Sequence, residues 1–127
     1  MISIGSDLID IRRIEKTLNR FGNKFKNRIF TQKEIEKCER RKETTACYAK
    51  RFAAKEAAAK ALGTGFRKGV FWKDLEINNL PSGEPTVIFH GKSRQHLNRL
   101  ISSSESNIKL TITDEYPYAQ AIVIIDG

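Results

Sequence analysis

Residues 51–65 read Arg-Phe-Ala-Ala-Lys-Glu-Ala-Ala-Ala-Lys-Ala-Leu-Gly-Thr-Gly, and this stretch predicts the helix on which the fold is built. Alanine is the strongest helix former, and its small side chain lets neighbouring backbones approach closely. At about 100° per residue, Glu56 and Lys60 lie one turn apart on one face, while alanines cover much of the opposite face. The two side chains either form a surface ion pair, which contributes roughly 0.2–0.5 kcal/mol, or serve a ligand.

The length and composition favour one small domain with an anionic partner. The 127 residues are enough to bury one core, so we expect a single domain over 1–127. No segment approaches the roughly 20 apolar residues of a membrane-spanning helix, and no signal-peptide pattern opens the chain. We therefore expect a soluble, cytoplasmic protein with no membrane partner. The formal charge of +8 favours nucleic acid, a nucleotide phosphate or an acidic protein as partner.

The cysteines and histidines do not indicate a metal site. Cys38 and Cys47 are the only cysteines and lack metal-ligand spacing, so we expect both to be reduced. His90 and His96 have no companion pattern of acidic residues or cysteines, and a transition-metal site is not expected.

The first strand is predicted at residues 2–8, where apolar and polar residues alternate. Asp7 falls at the end of this strand, close to Gly5. It is either a turn carboxylate or a group that faces a ligand, which the missing side chain of Gly5 would allow to approach.

A helix is predicted over 11–21, with Asp10 as its N-cap. Its buried face is expected to consist of Ile11, Ile14, Leu18 and Phe21. The opposite face carries cations, and we name as the basic stripe Arg13, Lys16, Arg20 and, beyond the helix, Lys24. Such a face is either simply solvated or a docking surface for an acidic partner.

Two further helices and a second, strand-rich half complete the prediction. Thr31 and Glu34 form a capping-box pattern before a helix at 32–41, and Gly63 ends the helix at 46–62. The second half predicts strands at 75–77 and 86–90, a helix at 92–101, a polar loop at 102–106, and strands at 108–113 and 119–125. The last strand is almost wholly apolar and should be central. The result is an α+β fold, β-α-α-α-β-β-α-β-β, with a largely antiparallel sheet and helices on one side.

Three motifs resemble the holo-acyl-carrier-protein synthase family, the small single-domain type of 4′-phosphopantetheinyl transferase. They are Gly5-Ser6-Asp7 followed by 10–14, Arg28-Ile29-Phe30-Thr31 with Glu34, and 51–56 with 60–65. The resemblance covers essentially the whole chain. It implies transfer of 4′-phosphopantetheine from coenzyme A to a serine of apo acyl carrier protein in fatty acid biosynthesis, releasing adenosine 3′,5′-bisphosphate. It also implies Mg²⁺ as cofactor and a homotrimer with active sites at subunit interfaces.

The same resemblance assigns the catalytic residues. Asp7 and Glu56 match the metal-binding carboxylates, and Lys60 matches a phosphate-contacting lysine. Two carboxylates suffice for Mg²⁺ when substrate phosphates and waters complete its coordination. Glu56 would take the serine proton, either directly or through a metal-bound water.

The resemblance further implies a coenzyme A-binding set that extends along the chain. Arg51 is expected at the 3′-phosphate or the pyrophosphate, with Lys42 and Lys50 as weaker candidates. The remaining members are Lys60, Gly63, Gly65, Gly83, Pro85 and Asp114. Asp114 stands where the family often has histidine, and its carboxylate would repel phosphate unless it faces a metal, a water or a cation such as Lys60.

The partner that the resemblance implies is small and acidic, so the basic stripe becomes its expected docking face. A nucleic-acid-binding domain is favoured by the charge and by seven Phe and three Tyr, but its strands lack interleaved aromatic and basic residues, and nucleic acid is not expected. A transferase for other carriers and a domain that binds coenzyme A without turnover both stay open.

Overall fold

The computed structural model describes residues 1–101 and 107–127, so the predicted loop at 102–106 lies outside the described residues. In chain order the elements are β1 (Ile2–Asp10), α1 (Ile11–Phe21), α2 (Asn23–Ile29), α3 (Gln32–Glu39), α4 (Thr44–Leu62), a 3₁₀ turn (Trp72–Asp74), β2 (Leu75–Asn79), β3 (Pro85–Phe89), α5 (Gly91–Leu100), β4 (Asn107–Glu115) and β5 (Tyr118–Asp126). No helix in these ranges is long and apolar enough to cross a membrane.

The strands form two antiparallel sheets, one of three strands in the order β1-β5-β4 and one made of the β2–β3 hairpin. The predicted α+β fold is therefore confirmed, as is the central position of the last strand. Helix α4 packs across the inner face of the larger sheet, against β1 and β5.

The alanines of α4 and a glycine of β1 make this contact unusually close. Ala54, Ala57, Ala58 and Ala61 are all 0% exposed. A Cβ atom at Gly5 would collide with the carbonyl oxygen of Ala57 and come within 2.6 Å of the backbone nitrogen of Ala61. Strand β1 thus lies directly on the helix backbone, which places Asp7, two residues beyond Gly5 on the same face of the strand, over α4.

The outer face of strand β1 is largely apolar and uncovered. Ile2, Ile4 and Leu8 of β1 are 72%, 63% and 62% exposed, whereas Gly5 and Ile9, on the opposite face of the strand, are buried. The period of two predicted the strand correctly, but the face that packs on the helix carries the small residues. Strand β1 also continues to Asp10, so the prediction that Asp7 ends the strand is wrong.

The helical region differs from the prediction at α2 and at Phe21. The unpredicted helix α2 begins after Gly22, which ends α1 with φ +53°, a backbone conformation that glycine adopts readily and that turns the chain there. Phe21 was expected in the core but is 50% exposed, with the Arg20 guanidinium 5.1 Å above its ring. It lies at the very end of α1, where the helix no longer faces the core.

The expectation that Cys38 and Cys47 are reduced is wrong. The structure joins them in a disulfide between α3 and α4, with 5.4 Å between their Cα atoms. The short connection between these helices brings both buried side chains to the same layer of the core.

The core also contains a buried ion pair. Lys55 of α4 is 0% exposed and Glu34 of α3 is 1% exposed, with 2.8 Å between Lys55 Nζ and Glu34 Oε1. Glu34 also accepts hydrogen bonds from the backbone nitrogens of Thr31 and Ile77, at 2.8 Å and 2.9 Å, so the predicted capping box is present and reaches β2. Every carboxylate oxygen therefore has a donor, which is what a buried charge requires.

Candidate active site

Asp7, Glu56 and Lys60 come together where β1 crosses α4, and we call this group the acidic site. Lys60 Nζ lies 3.3 Å from Asp7 Oδ1 and donates to the backbone oxygen of Ser6 at 2.9 Å. Lys60 thus contacts the neighbouring strand β1 rather than forming the i,i+4 ion pair with Glu56 that the spacing of the two residues suggested. The close approach at Gly5 makes this contact possible.

The two carboxylates of the acidic site are held in an unfavourable environment for negative charge. Burial raises the pKa of Glu56, and the nearby charge of Asp7 raises it further. Burial also raises the pKa of Asp7, although Lys60 and Arg13 act in the opposite direction. An added cation would relieve both costs, as expected of a cation site.

The donor set of the acidic site fits Mg²⁺ better than a transition metal. It offers carboxylate oxygens, which magnesium prefers, and no sulfur or imidazole. Within the described residues there is no group of three or more His, Cys, Asp or Glu able to hold a metal by itself. Asp7 and Glu56 would therefore hold Mg²⁺ only together with oxygens from a substrate and from water.

A second feature is a cleft of about 520 Å³ between α4, the β2–β3 hairpin and β4, which we call the basic cleft. Its cations are Arg41, Lys42, Lys50 and Arg51. Gly83 and Pro85 of the hairpin and Asp114 of β4 also line it, so most of the coenzyme A-binding residues expected from sequence lie around one cavity.

Arg51 is the most unusual residue of the basic cleft because it is only 6% exposed. Its Nη1 donates to Cys47 Sγ at 3.0 Å and its Nη2 to Asn79 Oδ1 at 3.4 Å. Arg51 Nε has no hydrogen-bond partner in the described part of the chain, and no described carboxylate lies within 4 Å of the guanidinium. Burial lowers the pKa of Arg51. A buried, incompletely satisfied guanidinium at a cavity wall is suited to bind an anion.

Asp114 faces a cation of the basic cleft. Its Oδ1 lies 3.8 Å from Lys50 Nζ, and both side chains are about one-third exposed. Lys50, rather than Lys60, is therefore the cation that compensates this carboxylate.

The sequence also nominated Gly63 and Gly65, which the structure does not place among the residues lining the basic cleft. They form an open left-handed turn after α4, with φ of +80° and +57°, and Gly65 donates its N–H to the oxygen of Ala59 at 3.1 Å. Neither glycine has an atom within 4 Å of the position that a Cβ would occupy. The turn is accessible, three residues beyond Lys60.

The basic stripe is exposed along its whole length, at Arg13, Lys16, Arg20 and Lys24. Its charge also reaches the acidic site, since Arg13 lowers the pKa of Asp7 against the larger effect of burial. A partner on the stripe would thus lie next to the acidic site.

Sequence reasoning missed Asn79 as a residue of the basic cleft, because a single asparagine before a turn carries no local signal. Arg41 belongs to the cluster of cations at 40–42, for which the sequence left two interpretations open, a contribution to the helix dipole and phosphate binding. Its place in the wall of the cleft agrees with the second. Only the pairing of β2 with β3 brings Asn79 opposite Pro85 and next to Arg51.

Comparison with known proteins identifies the family. The sequence profile described as the 4′-phosphopantetheinyl transferase superfamily matches residues 3–121. A holo-[acyl-carrier-protein] synthase of Methylorubrum extorquens is 55% identical over 128 residues, covering 100% of this chain and 94% of that protein. The crystal structure of this synthase from Neisseria meningitidis has a TM-score of 0.89 at 32% identity and full coverage of both chains.

A second solved structure carries a ligand. The Helicobacter pylori holo-[acyl-carrier-protein] synthase, in complex with coenzyme A, has a TM-score of 0.82 at 31% identity, covering 97% of this chain and 99% of that one. With sequence, fold and coverage in agreement, the chain belongs to the holo-[acyl-carrier-protein] synthase family of the 4′-phosphopantetheinyl transferase superfamily.

Proposed function

We propose that this protein transfers the 4′-phosphopantetheine group from coenzyme A to a serine of apo acyl carrier protein, using Mg²⁺. The products are holo acyl carrier protein and adenosine 3′,5′-bisphosphate, and the pathway served is fatty acid biosynthesis. The observation that carries the proposal is that α4 takes part in two sites. In the acidic site, Glu56 of α4 lies beside Asp7 of β1, and in the basic cleft the buried Arg51 of α4 lies among other cations.

Each site fits one part of coenzyme A. The basic cleft would bind the nucleotide, with Arg51 at the 3′-phosphate or pyrophosphate and the turn at Gly83 and Pro85 near the adenine. The open turn at Gly63 and Gly65 would border the pyrophosphate beside Lys60. Bound Mg²⁺, held by Asp7 and Glu56, would neutralise charge on the pyrophosphate oxygens.

The side chains of the acidic site account for the proton and charge movements. Glu56 would accept the proton of the serine hydroxyl at a carboxylate oxygen, either directly or through an intervening water. The serine oxygen then bonds to the phosphorus nearer the pantetheine. The bond from that phosphorus to the bridging oxygen breaks, and its electron pair stays with the departing nucleotide phosphate. Lys60 Nζ, held beside Asp7, would stabilise this charge.

The test is an intact-mass assay of apo acyl carrier protein incubated with coenzyme A and this protein, with Mg²⁺ or with a chelator. We expect the carrier to gain the mass of phosphopantetheine only when the metal is present. A gain in the chelated sample would contradict the metal requirement. No gain with any carrier protein would overturn the proposed activity and leave a coenzyme A-binding domain.

The basic stripe is proposed as the docking face for the acidic carrier. We expect Lys16→Glu and Arg20→Glu together to raise the KM for the carrier about tenfold at low ionic strength and to reduce its salt dependence, because opposite charges steer association. Both positions are exposed and neither belongs to the acidic site. Lys33→Glu, an exposed charge reversal on α3, is the control. Equal KM values for the stripe variant and the parent would contradict this assignment.

A homotrimer is proposed through the outer face of the larger sheet. Ile2, Ile4 and Leu8 expose apolar side chains on the outer face of β1, and Ile4 pairs with Ile124 of β5. Exposed apolar side chains grouped in this way usually mark an interface. In the assembly, the active sites would lie at subunit interfaces. The cytoplasmic location of the protein, which is a separate point, stays a prediction.

We expect Ile4→Lys to convert the trimer to monomers in light scattering, since a buried, unpaired charge opposes association. Ile88→Lys on β3, at a position 39% exposed, is the matched control. A parent protein that is monomeric at assay concentrations would contradict the oligomer, and a trimeric Ile4→Lys variant would contradict the interface.

A further inference from the structure

Asn79 joins the two walls of the basic cleft. It is the last residue of β2 and pairs with Pro85 across the hairpin. Its Oδ1 accepts hydrogen bonds from Lys37 Nζ of α3 and from Arg51 Nη2 of α4, and its Nδ2 donates to the oxygen of Gly83 at 2.9 Å. One side chain thus connects two helices and the hairpin turn.

Only a carboxamide satisfies these three neighbours at once. Lys37 and Arg51 are donors and require an acceptor, whereas the carbonyl of Gly83 requires a donor. These partners also fix which end of the amide is oxygen. An aspartate of the same size would accept from both cations but could not donate to Gly83, and an alanine would do neither.

The uncharged side chain of Asn79 matters for the charge of the cleft, because Asn79 supplies the oxygen that accepts a hydrogen bond from the Arg51 guanidinium. Among the described residues, the other hydrogen-bond partner of Arg51 is Cys47 Sγ. An amide oxygen fixes the direction of the guanidinium without cancelling its charge. Lys37 and Arg41 add to the positive charge around Arg51. The pKa of Lys37 is lowered by burial and by the nearby charges of Arg51 and Arg41. An anion in the cleft would therefore meet an oriented and uncompensated guanidinium.

The second function of the amide is to hold the hairpin turn. Leu80 and Glu84 close the turn with a backbone hydrogen bond of 2.8 Å, and Gly83 adopts φ +93° within it. The bond from Asn79 Nδ2 to Gly83 ties this turn to the same group that holds Arg51. A shift of the turn would therefore move the guanidinium as well.

We propose that Asn79 is a positioning residue that orients Arg51 toward a phosphate of coenzyme A while holding the Gly83 turn as the opposite wall of the cleft. The inference rests on the proposed function, which makes the nucleotide end of coenzyme A the occupant of the basic cleft. It adds a residue that acts through Arg51 and does not itself take part in the chemistry.

The experiment compares Asn79→Ala, Asn79→Asp and, as a matched charge control, Asn78→Asp. Asn78 precedes Asn79 on β2, points to the other face of the strand and does not line the cleft. The readouts are the KM for coenzyme A, kcat, the affinity for adenosine 3′,5′-bisphosphate by calorimetry, and thermal unfolding.

Asn79→Ala loses the bonds to Lys37, Arg51 and Gly83. We expect it to raise KM and weaken bisphosphate binding about tenfold, with kcat changed less than about threefold, because the hydrogen bond that orients the Arg51 guanidinium is among those lost. Asn79→Asp should weaken binding further, about thirtyfold, since it also neutralises the cation site. Its thermal stability should nevertheless equal or exceed that of Asn79→Ala, because aspartate can pair with Lys37 and Arg51. If Asn79 had only a structural role, the loss of bisphosphate binding in each variant would instead follow its loss of thermal stability.

Asn79→Asp that binds the bisphosphate as tightly as the parent would overturn the inference, as would an equal loss in Asn78→Asp or a fall in kcat at constant KM. A parent that binds the bisphosphate but transfers nothing to any carrier would overturn the proposed function alone. The binding series would then still decide the role of Asn79.

Discussion

Replacing Glu56 by Gln is expected to lower kcat/KM for phosphopantetheine transfer by about 10³-fold or more while leaving the protein folded. Glutamine keeps the size of the side chain but removes the charge that would hold Mg²⁺ and the basicity that would take the serine proton. General base catalysis alone is typically worth roughly 10²–10⁴-fold. The loss corresponds to about 4 kcal/mol of transition-state stabilisation.

The stability of the Glu56→Gln variant should move in the opposite direction to its activity. The folded-state pKa of Glu56 is raised by burial and by Asp7, so above that pKa the ionised form opposes folding. A neutral glutamine removes this cost, and the melting temperature at neutral pH should equal or exceed that of the parent. Glu36→Gln, at an exposed position of α3, controls for loss of a carboxylate. A variant that transfers at the parent rate would show that Glu56 has no part in catalysis.

The components of the acidic site were predictable because each stands in a recognisable local motif. The alanine-rich pattern predicted α4 and its close packing. The missing side chain of Gly5 was expected to admit a ligand, whereas in the structure the backbone of α4 occupies that space. The partner of Lys60 was not predictable. Periodicity places it beside Glu56, whereas the contact with Asp7 requires the crossing of β1 over α4, which only tertiary packing defines.

The errors have related causes. A period of two identifies a strand but does not show which of its faces another element will cover. The pattern therefore could not predict that Ile4 is exposed. The pairing of Cys38 with Cys47 depends on how tightly the chain turns between α3 and α4. Asn79 has no sequence signal, since its partners come from α3, α4 and the turn at Gly83.

The largest effect on folding is expected at Lys55. Lys55→Met keeps most of the side-chain volume but leaves Glu34 buried without its cation, and breaking a buried ion pair costs about 3–5 kcal/mol. The backbone oxygens of Leu75 and Trp72 would also lose the donor that reaches them at 2.6 Å and 3.0 Å. Denaturant unfolding measures the loss, with Lys33→Met on the exposed face of α3 expected to lie within about 0.5 kcal/mol of the parent.

The double variant Glu34→Gln with Lys55→Met distinguishes an ion pair from two independent packing residues. With both charges removed, the desolvation cost of each disappears, so the double variant should be more stable than the sum of the single losses predicts. Losses that simply add would contradict coupling.

Glu34 belongs to the motif at 28–34 and Lys55 to the motif at 51–65, and Glu34 also binds the backbone of Ile77 in β2. These two motif residues thus serve to fix α4 against α3 and the hairpin, and that attachment sets the position of Arg51 in the basic cleft.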